Sequence, residues 1–193
     1  MNKGRLITII TFIVFAIVLI ILDNSNLNKT ISSTNLNANI YIYLKNETNQ
    51  NQVQQAAMNL NDGKSSNACV YFVSEVLRKS NFTIPNNTAN TTQMVSLLQE
   101  KGWNRYSDYK KLKPGDICFT TDYSGSDSGK PTHTYVFMSW VKEGNYDYAY
   151  ICDNQAKDYS DKIYHIRNIK NKDAVKGITK EAFSFFMRPS HSL

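Results

Sequence analysis

The sequence predicts an α+β fold in which amino-terminal helices pack on an antiparallel sheet of about five strands. Two kinds of periodicity are segregated along the chain: apolar residues recur at helical spacing before residue 100 and alternate with polar ones after residue 115. Aromatic residues, twelve Tyr and nine Phe in all, crowd the second half, where pleated surfaces accommodate them best. The hairpin signal Glu143-Gly144-Asn145 joins two alternating runs directly, which requires them to be antiparallel. With 193 residues, 41% of them hydrophobic, the chain can bury one sizeable core.

At the amino terminus, Lys3 and Arg5 precede the uncharged run LITIITFIVFAIVLIIL from Leu6 to Leu22. Such a run spans roughly 25 Å as a helix, near the lower limit for crossing a bilayer, and basic residues before it favour a cytoplasmic amino terminus. The expected organisation is a cytoplasmic tail at 1–5, a transmembrane anchor at 6–22, an Asn-rich stalk at 23–48 and a folded domain at 49–193 outside the cell. The alternative is a secreted protein whose signal peptide is cleaved, but the apolar run exceeds the usual central region of about 7–15 residues and no small-x-small site follows it. No cysteine closes the run, which argues against a lipoprotein anchor. Within the stalk, the patch Ile40-Tyr41-Ile42-Tyr43-Leu44 is expected to lie on the domain as a short strand.

Order is expected to begin near Gln50. Val53, Ala56, Ala57 and Leu60 make an apolar stripe that Asp62-Gly63 terminates. A second helix runs from Asn67 to about Lys79, apolar over most of its circumference and therefore central. Asn90 or Thr91 caps a third, with Met94, Leu97 and Leu98 inward and Gly102 at its end. Lys113-Pro114-Gly115-Asp116 then turns into a first strand at Ile117-Cys118-Phe119. Strands follow at Thr132 to Trp140, Tyr146 to Asp153, Lys162 to Asn168 and Ala182 to Arg188. The Gly- and Ser-rich loop from Asp122 to Thr132 is a candidate rim for a site at the next strand.

The chemistry centres on Ser65-Ser66-Asn67-Ala68-Cys69-Val70-Tyr71-Phe72-Val73, where polar residues suited to capping lead into a helix with a cysteine in its first turn. Unpaired N–H groups and the helix dipole favour thiolate there, so Cys69 is the candidate nucleophile; the competing reading is a small buried hydrophobe. His133 opens one strand and Asp153 closes the next, so an antiparallel hairpin lays the two side by side. A carboxylate in that position orients an imidazole whose other nitrogen takes the thiol proton, the logic of acyl transfer through cysteine. His165 is expected to be exposed mid-strand, and His191 lies in the tail. Cys118 and Cys152 read as core residues or as a disulfide pair. Three cysteines cannot all pair within the chain, and Cys69 is the one expected to be free. No close ligand pair such as CxxC favours zinc, and no metal or cofactor is expected.

The cysteine at the start of a helix, Leu112-Lys113-Pro114-Gly115-Asp116-Ile117-Cys118-Phe119, Thr132-His133-Thr134-Tyr135-Val136-Phe137 and an acidic residue after the next strand occur in that order. Between about Gln50 and Gln155 this arrangement resembles the NlpC/P60 and CHAP families of papain-like cysteine peptidases and amidases. The resemblance implies a papain-like core acting on peptide or amide bonds of bacterial peptidoglycan. It also implies Cys69 as nucleophile, His133 as base and Asp153 as the orienting residue, with Asn154 or Gln155 as alternates. NlpC/P60 members usually carry Asp-Cys-Ser-Gly-Phe around the nucleophile, whereas Ala68-Cys69-Val70-Tyr71-Phe72 stands here.

A formal charge of +6 is compatible with any polyanion, including an acidic cell wall. The basic residues are scattered, with neither zinc-finger spacing nor an RNA-binding aromatic signature, so no nucleic-acid partner is expected. The expected function is a membrane-anchored exported hydrolase of peptidoglycan working through a thioester, with the Cys69 N–H as one oxyanion donor and the Asn67 side chain or a Ser66 group as the second. The alternatives are a non-catalytic wall-binding or envelope-assembly module on the same scaffold, and an acyltransferase or transglutaminase-like enzyme using the same Cys-His dyad.

Overall fold

The computed structural model describes residues 36–190, together with Val18 alone from the amino-terminal region. The expected cytoplasmic tail, the anchor apart from Val18 and the first half of the stalk lie outside these residues, as does His191. Among the described residues, no helix is long and apolar enough to cross a membrane.

Residues 36–190 form one α+β unit of four helices and a six-stranded antiparallel sheet. The helices are α1 (36–44), α2 (Glu47–Asn59), α3 (Cys69–Lys79) and α4 (Thr91–Glu100). The strands are β1 (Trp103–Tyr106), β2 (Ile117–Thr121), β3 (Pro131–Lys142), β4 (Asn145–Cys152), β5 (Tyr164–Asn168), β6 (Asp173–Val175), β7 (Ile178–Lys180) and β8 (Phe185–Pro189). The large sheet runs β1-β8-β2-β3-β4-β5, and β6 and β7 form a separate two-stranded hairpin. Every pairing is antiparallel. The sheet thus has one strand more than the five expected, because Trp103–Tyr106 pairs with β8 and does not merely lead toward the sheet.

The segment 36–44 corrects two expectations. It is helical instead of a strand, and it belongs to the folded unit instead of the stalk at 23–48. Ile40 and Leu44 lie four residues apart on one helix face, are both fully buried, and join the main core with Val53, Phe72 and Val76. The dock is close: a Cβ on Gly115, at φ +88°, would collide with the Asn37 carbonyl oxygen. Asn37 also donates from its side chain to Asp116 Oδ1 at 2.9 Å, and Asp116 in turn pairs with Arg188 of β8. The Pro-Gly-Asp turn therefore fastens the first helix to the middle of the sheet.

Alternation along the strands divides the interior in two. Ile117, Phe119, Val136, Met138, Cys152, Phe185 and Met187 face the helices. Cys118, Tyr135, Phe137, Ala149, Ile151 and Phe186 face the other way, where Leu112, Ile169 and Phe183 cover them. Cys118 and Cys152 thus lie on opposite faces of the sheet, and all three cysteines are free thiols. α3 packs on β3 and against α2, which makes it the central helix that its sequence predicted.

Candidate active site

Cys69 is the first residue of α3 and is 9% exposed. The expected side-chain cap is missing: Ala68 occupies the N-cap position, and Asn67 before it adopts φ 56°. Asn61 holds this entry loop by donating to the carbonyls of Lys64 and Ser66, each at 2.8 Å. With no side chain accepting from them, the first-turn N–H groups stay available for the thiolate or for an oxyanion beside it.

His133 reaches the same place from the third residue of β3. Its Nε2 lies 2.9 Å from Asp153 Oδ2, which leaves Nδ1 as the ring nitrogen for the cysteine. Asp153 follows the last residue of β4 and is fully buried. Its Oδ1 accepts the Gln155 backbone N–H at 2.8 Å, with His165 Nε2 at 3.8 Å. Cys69, His133 and Asp153, separate in sequence, are therefore brought together.

Their electrostatics fit together. Burial pushes the Cys69 thiol up, but the His133 hydrogen bond and charge, with the backbone N–H groups of Thr134 and Val70, outweigh it and hold the thiol below its ordinary value. Burial pushes His133 down, yet its bonds to Asp153 and Cys69 leave it raised. Asp153 is driven up by burial and down further by His133, His165 and Arg167, settling at about 2. By contrast, burial raises Cys118 and Cys152 well above the ordinary thiol range.

The expected alternates do other work. The Asn154 amide donates to the Ser65 carbonyl at 2.8 Å, tying the nucleophile's entry loop to the end of β4. The Gln155 side chain accepts from Lys180 Nζ at 3.0 Å. Neither takes the place of Asp153 against the imidazole. Val70 belongs to the core and Tyr71 packs beside it; neither lines the cleft.

A cleft of about 170 Å³ opens over Cys69 and His133, with Asn67 on its wall. It is also lined by Arg167, Thr179, Lys180 and Glu181, and of the Gly- and Ser-rich loop only the last residue, Thr132, takes part. That loop is fastened down: Thr121 Oγ1 donates within reach of the Tyr123 and Ser126 carbonyls, and Asp122 and Lys130 bond across its base. A larger hollow of about 340 Å³ between the start of α2 and residues 161–164 shares none of the cleft's residues.

Two groups near the site escaped the sequence reading. His165 is 5% exposed instead of solvated, stacked on Tyr159 with ring centroids 3.6 Å apart. Arg167, two residues on, is 3% exposed. Both sit directly opposite core residues of β4, Ile151 and Ala149, so their side chains share that face of the sheet. Ile166 between them is 43% exposed, the reverse of an apolar-in pattern.

No family model matches the chain, and neither the curated proteins nor the solved structures contain a significant match.

Proposed function

We propose that this chain is a cysteine hydrolase of peptide or amide bonds built on a papain-like core. The observation that carries the proposal is the Cys69–His133–Asp153 constellation at the mouth of a cleft, with the thiol lowered and the imidazole raised. A cysteine retained only for packing behaves as Cys118 and Cys152 do, with burial as the largest influence and the thiol held well above its ordinary range.

In this proposal the Cys69 thiolate attacks the carbonyl carbon of an amide, and His133, protonated at Nδ1, gives that proton to the departing amine as the C–N bond breaks. Water then attacks the thioester with His133 as base, releasing the acid and restoring the thiol. The Cys69 backbone N–H and the Asn67 side chain serve the tetrahedral oxyanion. Asp153 keeps the imidazole in the required tautomer and offsets its charge.

Peptidoglycan is the proposed substrate. The sequence resemblance to wall hydrolases supports it, as do the apolar run that would hold the chain at a membrane and the positive charge that suits an anionic wall. The test is release of soluble muropeptides from purified cell walls by the full-length chain. Cys69→Ala should abolish release without changing thermal unfolding; equal release by the variant would end the proposal.

A further inference from the structure

The wall of the cleft that holds Cys69 carries a cation whose hydrogen bonds are largely unmade. Arg167 lines the cleft with Cys69 and His133 and is 3% exposed. Its Nη2 donates to the Glu181 carbonyl at 2.8 Å, but Nε and Nη1 have no hydrogen-bond acceptor. Asp153 Oδ2 is 4.0 Å from Nη1, beyond hydrogen-bond range, and already accepts from His133. The guanidinium carbon lies 5.3 Å from the Tyr135 ring centroid, within cation–π range. The other charged side chains of the wall have partners of their own: Lys180 binds Gln155 and Asp158, and Glu181 lies 3.2 Å from Lys172.

A guanidinium keeps its proton at every accessible pH, so burial cannot neutralise it. Buried N–H donors are almost always satisfied, and those left without a partner in a side chain that lines a cleft suit an acceptor that arrives with a ligand. We propose that Arg167 forms a subsite for a carboxylate carried next to the scissile bond, so that the preferred substrates are amides with a free carboxylate beside the reacting carbonyl. This rests on the hydrolase reading above and names its substrate class.

The test compares alkylation of Cys69 in the full-length chain by iodoacetate and by iodoacetamide. The two probes deliver the same carbon to the same thiolate, one with a carboxylate and one without, so the ratio of rates cancels the thiolate fraction. The ratio should favour iodoacetate and fall about tenfold or more in Arg167→Gln, with Arg167→Lys between. The wild-type chain gives a second readout: at constant ionic strength, acetate should slow alkylation by iodoacetamide saturably and acetamide should not. An unchanged ratio in an Arg167→Gln chain of normal thermal unfolding, or no protection by acetate, overturns the subsite while leaving Cys69 the fast-reacting thiol. If instead Cys69 labels no faster than Cys118 and Cys152, the hydrolase reading falls and the subsite falls with it.

Discussion

His133 Nε2 stands 2.9 Å from Asp153 Oδ2, so the start of one strand is bonded to the residue that follows the next. The contact fixes a chemical direction as well as a position. With the carboxylate accepting from Nε2, the basic nitrogen of a neutral imidazole is Nδ1, the one left for Cys69. The second carboxylate oxygen is filled by the Gln155 N–H, so Asp153 cannot rotate away without losing two bonds.

Replacing that carboxylate by an isosteric amide should therefore disable catalysis. In Asp153→Asn the side chain keeps its volume but loses the charge that holds His133 protonated. The expected loss in muropeptide release is about 10²–10⁴-fold, in line with removal of the orienting acid from comparable triads. A loss of less than about threefold would mean that His133 is positioned by something else.

The three thiols should separate cleanly in a titration with an aromatic disulfide reagent at neutral pH. Cys118 and Cys152 are fully buried in opposite halves of the core and pushed well above the ordinary thiol range, whereas Cys69 borders the cleft. The native chain should release one equivalent promptly, and the chain in denaturant should release three. Two prompt equivalents from the native protein would contradict this arrangement.

The order of helices and strands was legible because each element carries its own period, and the His133–Asp153 contact was legible because a short turn makes it nearly unavoidable. The rest depended on tertiary context. On β5, alternation points Tyr164 and Ile166 inward by hydropathy, yet His165 and Arg167 are the buried pair. What reverses the rule is the charge of Asp153 on that face, which compensates two basic side chains that no local pattern predicts to be buried. At α1, Asn-rich flanks suggested a stalk, but Ile40 and Leu44 join a core with Val53, Phe72 and Val76 that exists only once α2 and α3 are packed together. The rim strands β6 and β7 are three residues each and too short for periodicity to register.

The place of α1 in the core makes a prediction about truncation. A chain beginning at residue 36 should keep the cooperative unfolding of the full-length protein, whereas one beginning at residue 49 loses Ile40 and Leu44, both at 0% exposure. Burying two such side chains is worth about 3–6 kcal/mol, comparable with the whole stability of many domains. The shorter fragment should be unfolded or aggregate on expression, as judged by circular dichroism and urea titration. Equal midpoints for the two fragments would show that α1 is dispensable.

Stability should fall on acidification in two stages. Burial holds His165 below its ordinary 6.5, so the unfolded chain takes up that proton first and stability begins to drop as pH falls below 6.5. Asp153, at about 2 in the fold against an ordinary 3.8, contributes stability that is complete above 3.8 and is lost as pH falls toward 2. That gap corresponds to about 2 kcal/mol. His133 acts in the opposite sense: it is raised in the fold, so its contribution is present below 6.5 and is lost as pH rises through its folded value. Urea midpoints measured from pH 8 to pH 2 should show the lower stage in the wild-type chain and not in Asp153→Asn; identical curves would refute the assignment.

The thiol's own titration tests the pairing most directly. Of the influences on Cys69, burial is the largest and raises it, while His133 supplies the greatest opposing effect and brings the net value below 9.0. Removing the imidazole leaves burial opposed only by the backbone N–H groups of Thr134 and Val70. In His133→Ala, the midpoint of alkylation by iodoacetamide against pH should therefore move upward, and the rate at pH 7 should fall about tenfold or more. Alkylation of the wild-type chain in denaturant should give the ordinary midpoint, above that of the native wild type. If the native midpoint stayed where it was after His133→Ala, the lowering would belong to the helix terminus alone, and His133 would have no part in activating the cysteine.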